Sequence, residues 1–424
     1  MQLKKKYTFK IVITIVVIGT LCAFSFSQNK KPAKVFVEQA FKKAEQQYTD
    51  MLLRSTDLTK YPRTTDAKGN TAYVPISDWT GGFWPGNLWY VYEYTKDDNW
   101  KNAAVRWTES LEANQFNTSH HDLGFMMYCS YGNAYRLTKN EAYKAILIQS
   151  AKSLSKRFDP RVGCIKSWNY RLSWDGKTKW YYPVIIDNMM NLELLFFASK
   201  VTGDPVYKNI AVTHAETTMK HHFRDDYSSY HVVNYDTLTG NVLNKQTCQG
   251  YSDNSTWARG QAWAIYGYTM TYRETGDKRF LQLAQKLADY YIKNPNLPKD
   301  KIPYWDFNVN VNGYKPDWKY DPAKFSYIPR DASAAAIVSS ALFELSEFLG
   351  AKGQPYKEFA IASLQSLSSA EYLAKSGTNG HFLLKHSVGS IPHGVEVDVP
   401  IVYADYYYLE AILRYQRTTK NFNK

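Results

Sequence analysis

Two aspartates carry the first chemical signal. Asp122 stands in HHDLGFMMY, which begins at His120, and Asp187 in VIIDNMMNLELL; each heads a long apolar run. Two carboxylates across one pocket can hold different charges. Burial and a like-charged neighbour raise a carboxyl pKa, whereas a helix N-terminus lowers it. General acid–base catalysis needs such a difference. The plain alternative is that each aspartate is a helix cap, the default role of Asp at a helix start. The chemical reading gains from convergence, because Arg259, His120, His231, Gln249 and several tryptophans map to the same rim once the chain is laid out in helices. Trp263 follows Arg259 by four residues and shares its helical face; taken alone it reads as core. Asp331 and Asp398 read as caps with no further support.

The elements that would position these groups are helices. Val37, Ala40, Phe41, Ala44 and Tyr48 recur at helical spacing. The turns EYTKDDNWKNAA, RLTKNEAYKAI, KVTGDPVYKNIA, RETGDKRFLQLA and FLGAKGQPYKEFA then repeat one signature. A polar or Gly-containing turn ends one helix, and the next carries an aromatic in its first turns: Trp100, Tyr143, Tyr207, Phe280 or Tyr356. The pattern predicts helices near 34–54, 83–96, 99–115, 122–138, 140–157, 187–201, 204–222, 257–275, 278–293, 330–349, 354–372 and 400–417. They pair into hairpins, with charged helices outside and apolar ones, such as NLELLFFA and ASAAAIVSSALF, inside. Six hairpins closing on themselves give an all-α fold, an (α/α)6 barrel, as one domain over residues 28–424. An open solenoid of hairpins shares the periodicity.

Long, chemically rich loops lead into the inner helices: 55–82, 158–186, 223–256, 294–329 and 373–399. Insertions on one face of a repeat architecture are where function resides. DWTGGFWPGNLW, SHHDLGF, IIDN, STWARGQAW, RDASA and VDVPIVYADYY stand at the inner-helix entrances. Six helix N-termini converge there and suit an anionic ligand. Trp79, Phe83 and Trp84 add flat apolar faces.

Composition bounds the partner. The 424 residues are 44% hydrophobic and 16% aromatic, enough for a large core and incompatible with disorder. Lys4, Lys5, Lys6 and Lys10 precede an apolar run to Phe26, which reads as an export signal over residues 1–27 and places the mature chain in the periplasm without stable membrane association. Its removal takes four lysines and lowers the net charge from +13 to +9. A basic exported chain favours an acidic glycan over nucleic acid, for which no basic run with interleaved aromatics is present. Cys129, Cys164 and Cys248 form no disulfide framework, and no CxxC or HExxH suggests zinc, so no metal or cofactor is expected. His221 and His222 read as partners of a helix C-terminus.

The segments GFWPGNLW, HHDLGF, IIDNMMNLELL and DNSTWARGQAWAIYG, with the DYYYLEA end, resemble glycoside hydrolase family 88, the unsaturated glucuronyl hydrolases. The resemblance spans essentially the mature chain. It implies an (α/α)6 barrel and an acidic unsaturated oligosaccharide as substrate, whose terminal 4,5-unsaturated uronate is removed by hydrating the double bond. It further implies Asp187 as the general acid/base and Asp122 as an assisting carboxylate. His120, His231, Gln249, Arg259 and Trp263 would surround the substrate, and Trp84 or Trp79 would stack on the sugar, with Trp168 or Trp174 as a further pocket tryptophan. An unsaturated galacturonyl hydrolase acting on pectin fragments shares the chemistry. A non-catalytic glycan-binding protein on the same barrel, or an epimerase using histidines, would share the scaffold.

Overall fold

The computed structural model describes residues 30–420. The export signal expected over residues 1–27 lies outside them. Twelve helical segments run in the expected order: α1 Lys30–Arg54, α2 Phe83–Thr95, α3 Asp98–Glu109, α4 beginning with Leu123–Met127, α5 Glu141–Ser155, α6 Leu192–Thr202, α7 Pro205–His221, α8 Ala258–Thr275, α9 Lys278–Ile292, α10 Ala332–Leu349, α11 Gln354–Leu367 and α12 Val402–Lys420. Helix α4 continues through a π-helical turn, Tyr128–Gly132, into Asn133–Thr138. The helix expected from 187 starts instead as a 3-10 segment, Ile186–Asn191.

Four hairpin turns share one construction. Thr95, Thr138, Thr202 and Thr275 each donate a hydroxyl to the carbonyl four residues back and accept the N–H two residues on. A left-handed residue follows each threonine: Lys96, Lys139, Gly203 or Gly276. Asp97, Asn140, Asp204 or Asp277 then caps the next helix by accepting a backbone N–H. Local sequence alone closes these hairpins.

Packing sorts the helices. In α9 the buried residues Phe280, Leu283, Ala284, Leu287, Ala288 and Tyr291 form one stripe, as on a helix with one wet face. Helix α10 is buried on nearly every side, from Ala332 through Ser346, because other helices surround it. The inner helices α2, α4, α6, α8, α10 and α12 pack in succession, and α12 returns to pack on α2 and α1. That return contact closes the ring and excludes the open solenoid.

The loops entering the inner helices hold short strands, which the helical periodicity did not predict. β1 (Lys60–Thr65) pairs with β2 (Thr71–Pro75), β3 (Phe158–Asp159) with β4 (Cys164–Ile165), and β5 (Arg171–Leu172) with β6 (Lys179–Trp180). β7 (Pro183–Ile185), β8 (Val232–Tyr235) and β9 (Val242–Gln246) form one antiparallel sheet that ties two entry loops together, and β10 (Ser387–Ser390) pairs with β11 (Val395–Val399). Strands this short carry too few alternations to read from sequence.

Candidate active site

The aspartates at helix starts divide into two kinds. Those on the short-turn face cap their helices, and Asp331 accepts N–H bonds from Ser333 and Ala334 at the start of α10. Asp122 occupies the N-cap position of α4 without a side-chain cap bond. Its oxygens lie 3.2 Å from His120 Nδ1 and 3.3 Å from His121 Nε2. Asp187 sits in the first turn of the 3-10 segment, where its Oδ2 is buried and has no hydrogen-bond partner. Asp398 is no cap: it lies in β11 with φ 58° and binds His386 and Tyr327.

Close packing brings the two aspartate-bearing segments together. Phe125 N–H donates to Asn191 Oδ1 at 3.0 Å. A Cβ on Gly124 would stand 2.4 Å from Asn191 Cα, so only glycine permits this approach.

The two carboxyls titrate in opposite directions. Burial pushes Asp187 up to about 7, opposed by Arg259 and aided by the charge of Asp122. Burial also works to raise Asp122, but His121, His120 and Arg157 outweigh it and hold Asp122 below the usual carboxylate range. Asp405 shows that a raised pKa alone does not mark a site. It too is pushed up to about 7 by burial, yet it is engaged by Leu383 and Leu384 N–H groups and Tyr48. Asp187 combines the raised pKa with an oxygen that nothing engages.

His231 faces that oxygen. Its Nδ1 accepts the N–H groups of Cys248 and Gln249 at 3.0 and 3.1 Å, so the ring proton resides on Nε2, 3.9 Å from Asp187 Oδ2. Burial, then Arg259 and Arg171, keep the imidazole neutral. A neutral N–H donor thus points at the carboxyl able to carry a proton near neutrality.

A cavity of about 290 Å³ adjoins this cluster, walled by Trp79, Gln249, Arg259, Tyr403 and the β10–β11 hairpin. Arg63 clamps that hairpin through Glu396 while also holding Asp78. The Nη atoms of Arg259 are engaged by Asp331 and the carbonyls of Val388 and Gly389, while its buried Nε has no hydrogen-bond partner among the described residues. Arg171 has no carboxylate partner among the described residues. It lies over the Trp168 ring at 5.1 Å and contacts His393.

The structure separates the tryptophans. Trp79 lies on the cavity wall, 5.2 Å from Tyr403 between ring centres. Trp84 corrects the expectation of a stacking surface: it is fully buried between the rings of helices, against Tyr48 of α1 and Trp107 of α3. Successive helical residues diverge by about 100°, so Phe83 takes the axial side, against Phe125 and Tyr403, and Trp84 the outer one. Trp263 lies one turn below Arg259, fully buried against Phe125 and Tyr407. Trp168 meets His231 edge-on, and Trp174 packs on His393.

Sequence reasoning passed over His121, Arg63, Arg171, Tyr403 and His393. Of these only His121 carried a local signal, its adjacency to Asp122; the others arrive on loops that only tertiary pairing brings in. A larger cavity, about 560 Å³, opens at the opposite mouth; neither aspartate lines either cavity, but the larger one also lacks Arg259 and Gln249, the residues that tie the smaller one to Asp187 and His231. The larger cavity's arginines are already matched, Arg273 with Glu193, Glu274 and Glu344, Arg414 with Glu344 and Glu410, and Arg136 and Arg417 with Glu93.

A closed ring of helical hairpins with an acid–base carboxyl pair beside an aromatic-walled cavity defines a carbohydrate-active hydrolase on an (α/α)6 barrel. The sequence profile of glycosyl hydrolase family 88 matches residues 54–271. An unsaturated glucuronyl hydrolase from Formosa agariphila is 45% identical, over 98% of this chain and 99% of its own. An unsaturated chondroitin disaccharide hydrolase from Streptococcus agalactiae is 34% identical, over 92% and 94%. A crystal structure of an unsaturated glucuronyl hydrolase specific for heparin superposes with a TM-score of 0.83 at 46% identity, covering 91% of this chain and 98% of that one. The chain belongs to glycosyl hydrolase family 88.

Proposed function

We propose that the protein is an unsaturated glucuronyl hydrolase. It removes the 4,5-unsaturated uronic acid from the non-reducing end of lyase-generated glycosaminoglycan oligosaccharides by hydrating the double bond. The observation that carries this reading is the Asp187 carboxyl, raised to about 7 with its Oδ2 unengaged, beside an Asp122 held ionised. Protonated Asp187 donates its proton to carbon four, and the resulting carboxylate takes a proton from the water that bonds to carbon five. The product is a hemiketal, which opens and releases the rest of the oligosaccharide. The anomeric carbon is never attacked, so carboxylate spacing does not decide between inversion and retention.

Asp122 helps by its charge to keep the proton on Asp187 between turnovers, and the neutral His231 N–H stands ready to donate to the carboxylate once that proton has left. Trp79 offers the stacking face, Gln249 and His120 offer polar contacts, and Arg171 offers a cation that no carboxylate among the described residues neutralises. The names of relatives at 34–45% identity over most of the chain support the substrate class. The lysine-led apolar N-terminus supports export to the periplasm, where lyase products of extracellular glycans arrive. Mass analysis of the N-terminus of periplasmic protein tests that placement.

Loss of the ultraviolet absorbance of the conjugated uronate tests the activity, using unsaturated disaccharides from heparin, chondroitin, hyaluronan and pectin lyase digests. A fall with glycosaminoglycan fragments is expected. A fall confined to pectin fragments would make the enzyme a galacturonyl hydrolase, and binding without any fall would make it a glycan-binding protein.

A further inference from the structure

The two carboxylates ride on separate loops, and one buried serine joins those loops. Ser167 accepts the His121 N–H on its carbonyl at 3.1 Å, one residue before Asp122. Its hydroxyl accepts the Ile185 N–H at 2.9 Å and lies 3.5 Å from Asn188 Nδ2, so it flanks Asp187 on both sides. Arg157, two residues beyond α5, grips the same junction. Its Nε donates to Lys166 O at 2.7 Å, Nη2 to Ser167 O at 3.3 Å, and Nη1 to Thr118 O at 2.6 Å. One guanidinium therefore bonds the loop that precedes Asp122 and the loop that leads to Trp168.

Arg157 forms no ion pair among the described residues, although a half-buried guanidinium ordinarily finds a carboxylate. Asp122 is the one carboxylate whose field it shares. The charged and titratable groups facing Asp122 are His120 and His121 from its own loop, Arg157 from behind α4, and Asp187 across the site. Those facing Arg157 are Asp122, His121, Lys166 and Tyr182.

We infer that Arg157 is a positioning residue for the hydration: with Ser167 it sets the separation of the Asp122 and Asp187 loops, and it supplies the unpaired positive charge that Asp122 faces from behind. This inference rests on the hydrolase reading above. Asp122 is held below its ordinary range by His121 and His120 first and by Arg157 after them, so removing that cation moves Asp122 upward by part of the whole shift. Activity that needs ionised Asp122 is then lost at a higher pH as the solution is acidified.

The test is the pH–rate profile of Arg157→Gln, Arg157→Lys and Ser167→Ala on whichever unsaturated disaccharide the wild type cleaves. Arg157→Gln is expected to lose on the order of 10- to 100-fold in kcat/KM, as misplacement of a reacting group does, and to shift its acid limb to higher pH. Arg157→Lys keeps the charge and loses the guanidinium fork, and Ser167→Ala keeps the charge and loses only the hydroxyl bonds to the Asp187 segment, so their rates fall while the acid limb stays in place. A merely structural residue would lower the rate without moving that limb in any variant. An unmoved limb in folded Arg157→Gln, or wild-type kcat in Arg157→Lys, overturns the inference. Should Arg157→Gln fail to fold by circular dichroism, Arg157→Lys carries the test alone. An inactive wild type removes the hydrolase reading itself, whereas an active wild type beside an unmoved limb removes only the clamp.

Discussion

Asp187 loses its proton at about pH 7 because burial penalises the charged form. The acid step needs that proton, so the rate should fall as pH rises through 7, and Asp122→Asn, which removes a neighbouring negative charge, should move this basic limb to lower pH. Asp187→Asn removes the transferable proton and little volume. Turnover should drop by at least about 10²-fold while substrate binding, measured by calorimetry, changes little; near-normal turnover would sink the assignment. The same variant has a stability signature. A carboxyl whose folded pKa exceeds its unfolded one destabilises the fold progressively as pH rises from about 4 to about 7. Asp187→Asn should therefore melt roughly 3–6 °C above wild type at pH 8 and level with it near pH 4. A variant that is more stable and inactive at once is what a strained proton donor predicts.

At the scale of elements, the barrel separates glycines and caps that serve the chemistry from those that serve the fold. Gly124→Ala must displace Asn191, whose backbone a new Cβ would meet at 2.4 Å, and with it the Asp187 segment. The expected result is about 1–3 kcal/mol of destabilisation and a loss of kcat on the order of 10-fold or more. Asp277→Ala, on the opposite face, removes the cap of α9. It should cost about 1 kcal/mol and leave kcat unchanged. Comparable rate losses in the two variants would show that general destabilisation, and not site geometry, governs activity. The repeated Thr–left-handed–Asp/Asn turns were legible because each is built from neighbours in sequence. The β-hairpins of the entry loops were not, since their pairing partners lie in other loops or are too short to show a period.

The whole molecule is a basic body with an acidic substrate. A net charge of +13 over the full chain, with six inner-helix N-termini on the site face, attracts anions over long range. The kcat/KM for a sulfated unsaturated disaccharide should fall steeply between about 0.05 and 0.5 M salt, because the Debye length contracts below the reach of the surface charges. The kcat should stay nearly constant, since the buried groups that act on the bond are screened little. A salt-independent kcat/KM would mean that the charge serves solubility alone.

Sequence by itself determined the number and order of helices, the division into inner and outer, the face of the long entry loops, and the two aspartates on which the proposed chemistry rests. Those features follow from periodicity, caps and turns, which depend on residues a few positions apart. Closure of the ring depended on α12 meeting α2, a contact between chain ends that no local pattern records. Which tryptophan meets the cavity was likewise decided by packing: the entry loop holds Trp79 on the cavity wall, and α2 turns Trp84 to Tyr48 and Trp107. The tertiary structure also chose which aspartate keeps its proton. A pKa reports burial and neighbouring charge: for Asp187 both arrive from segments far away along the chain, whereas Asp122 is lowered first by its sequence neighbours His121 and His120.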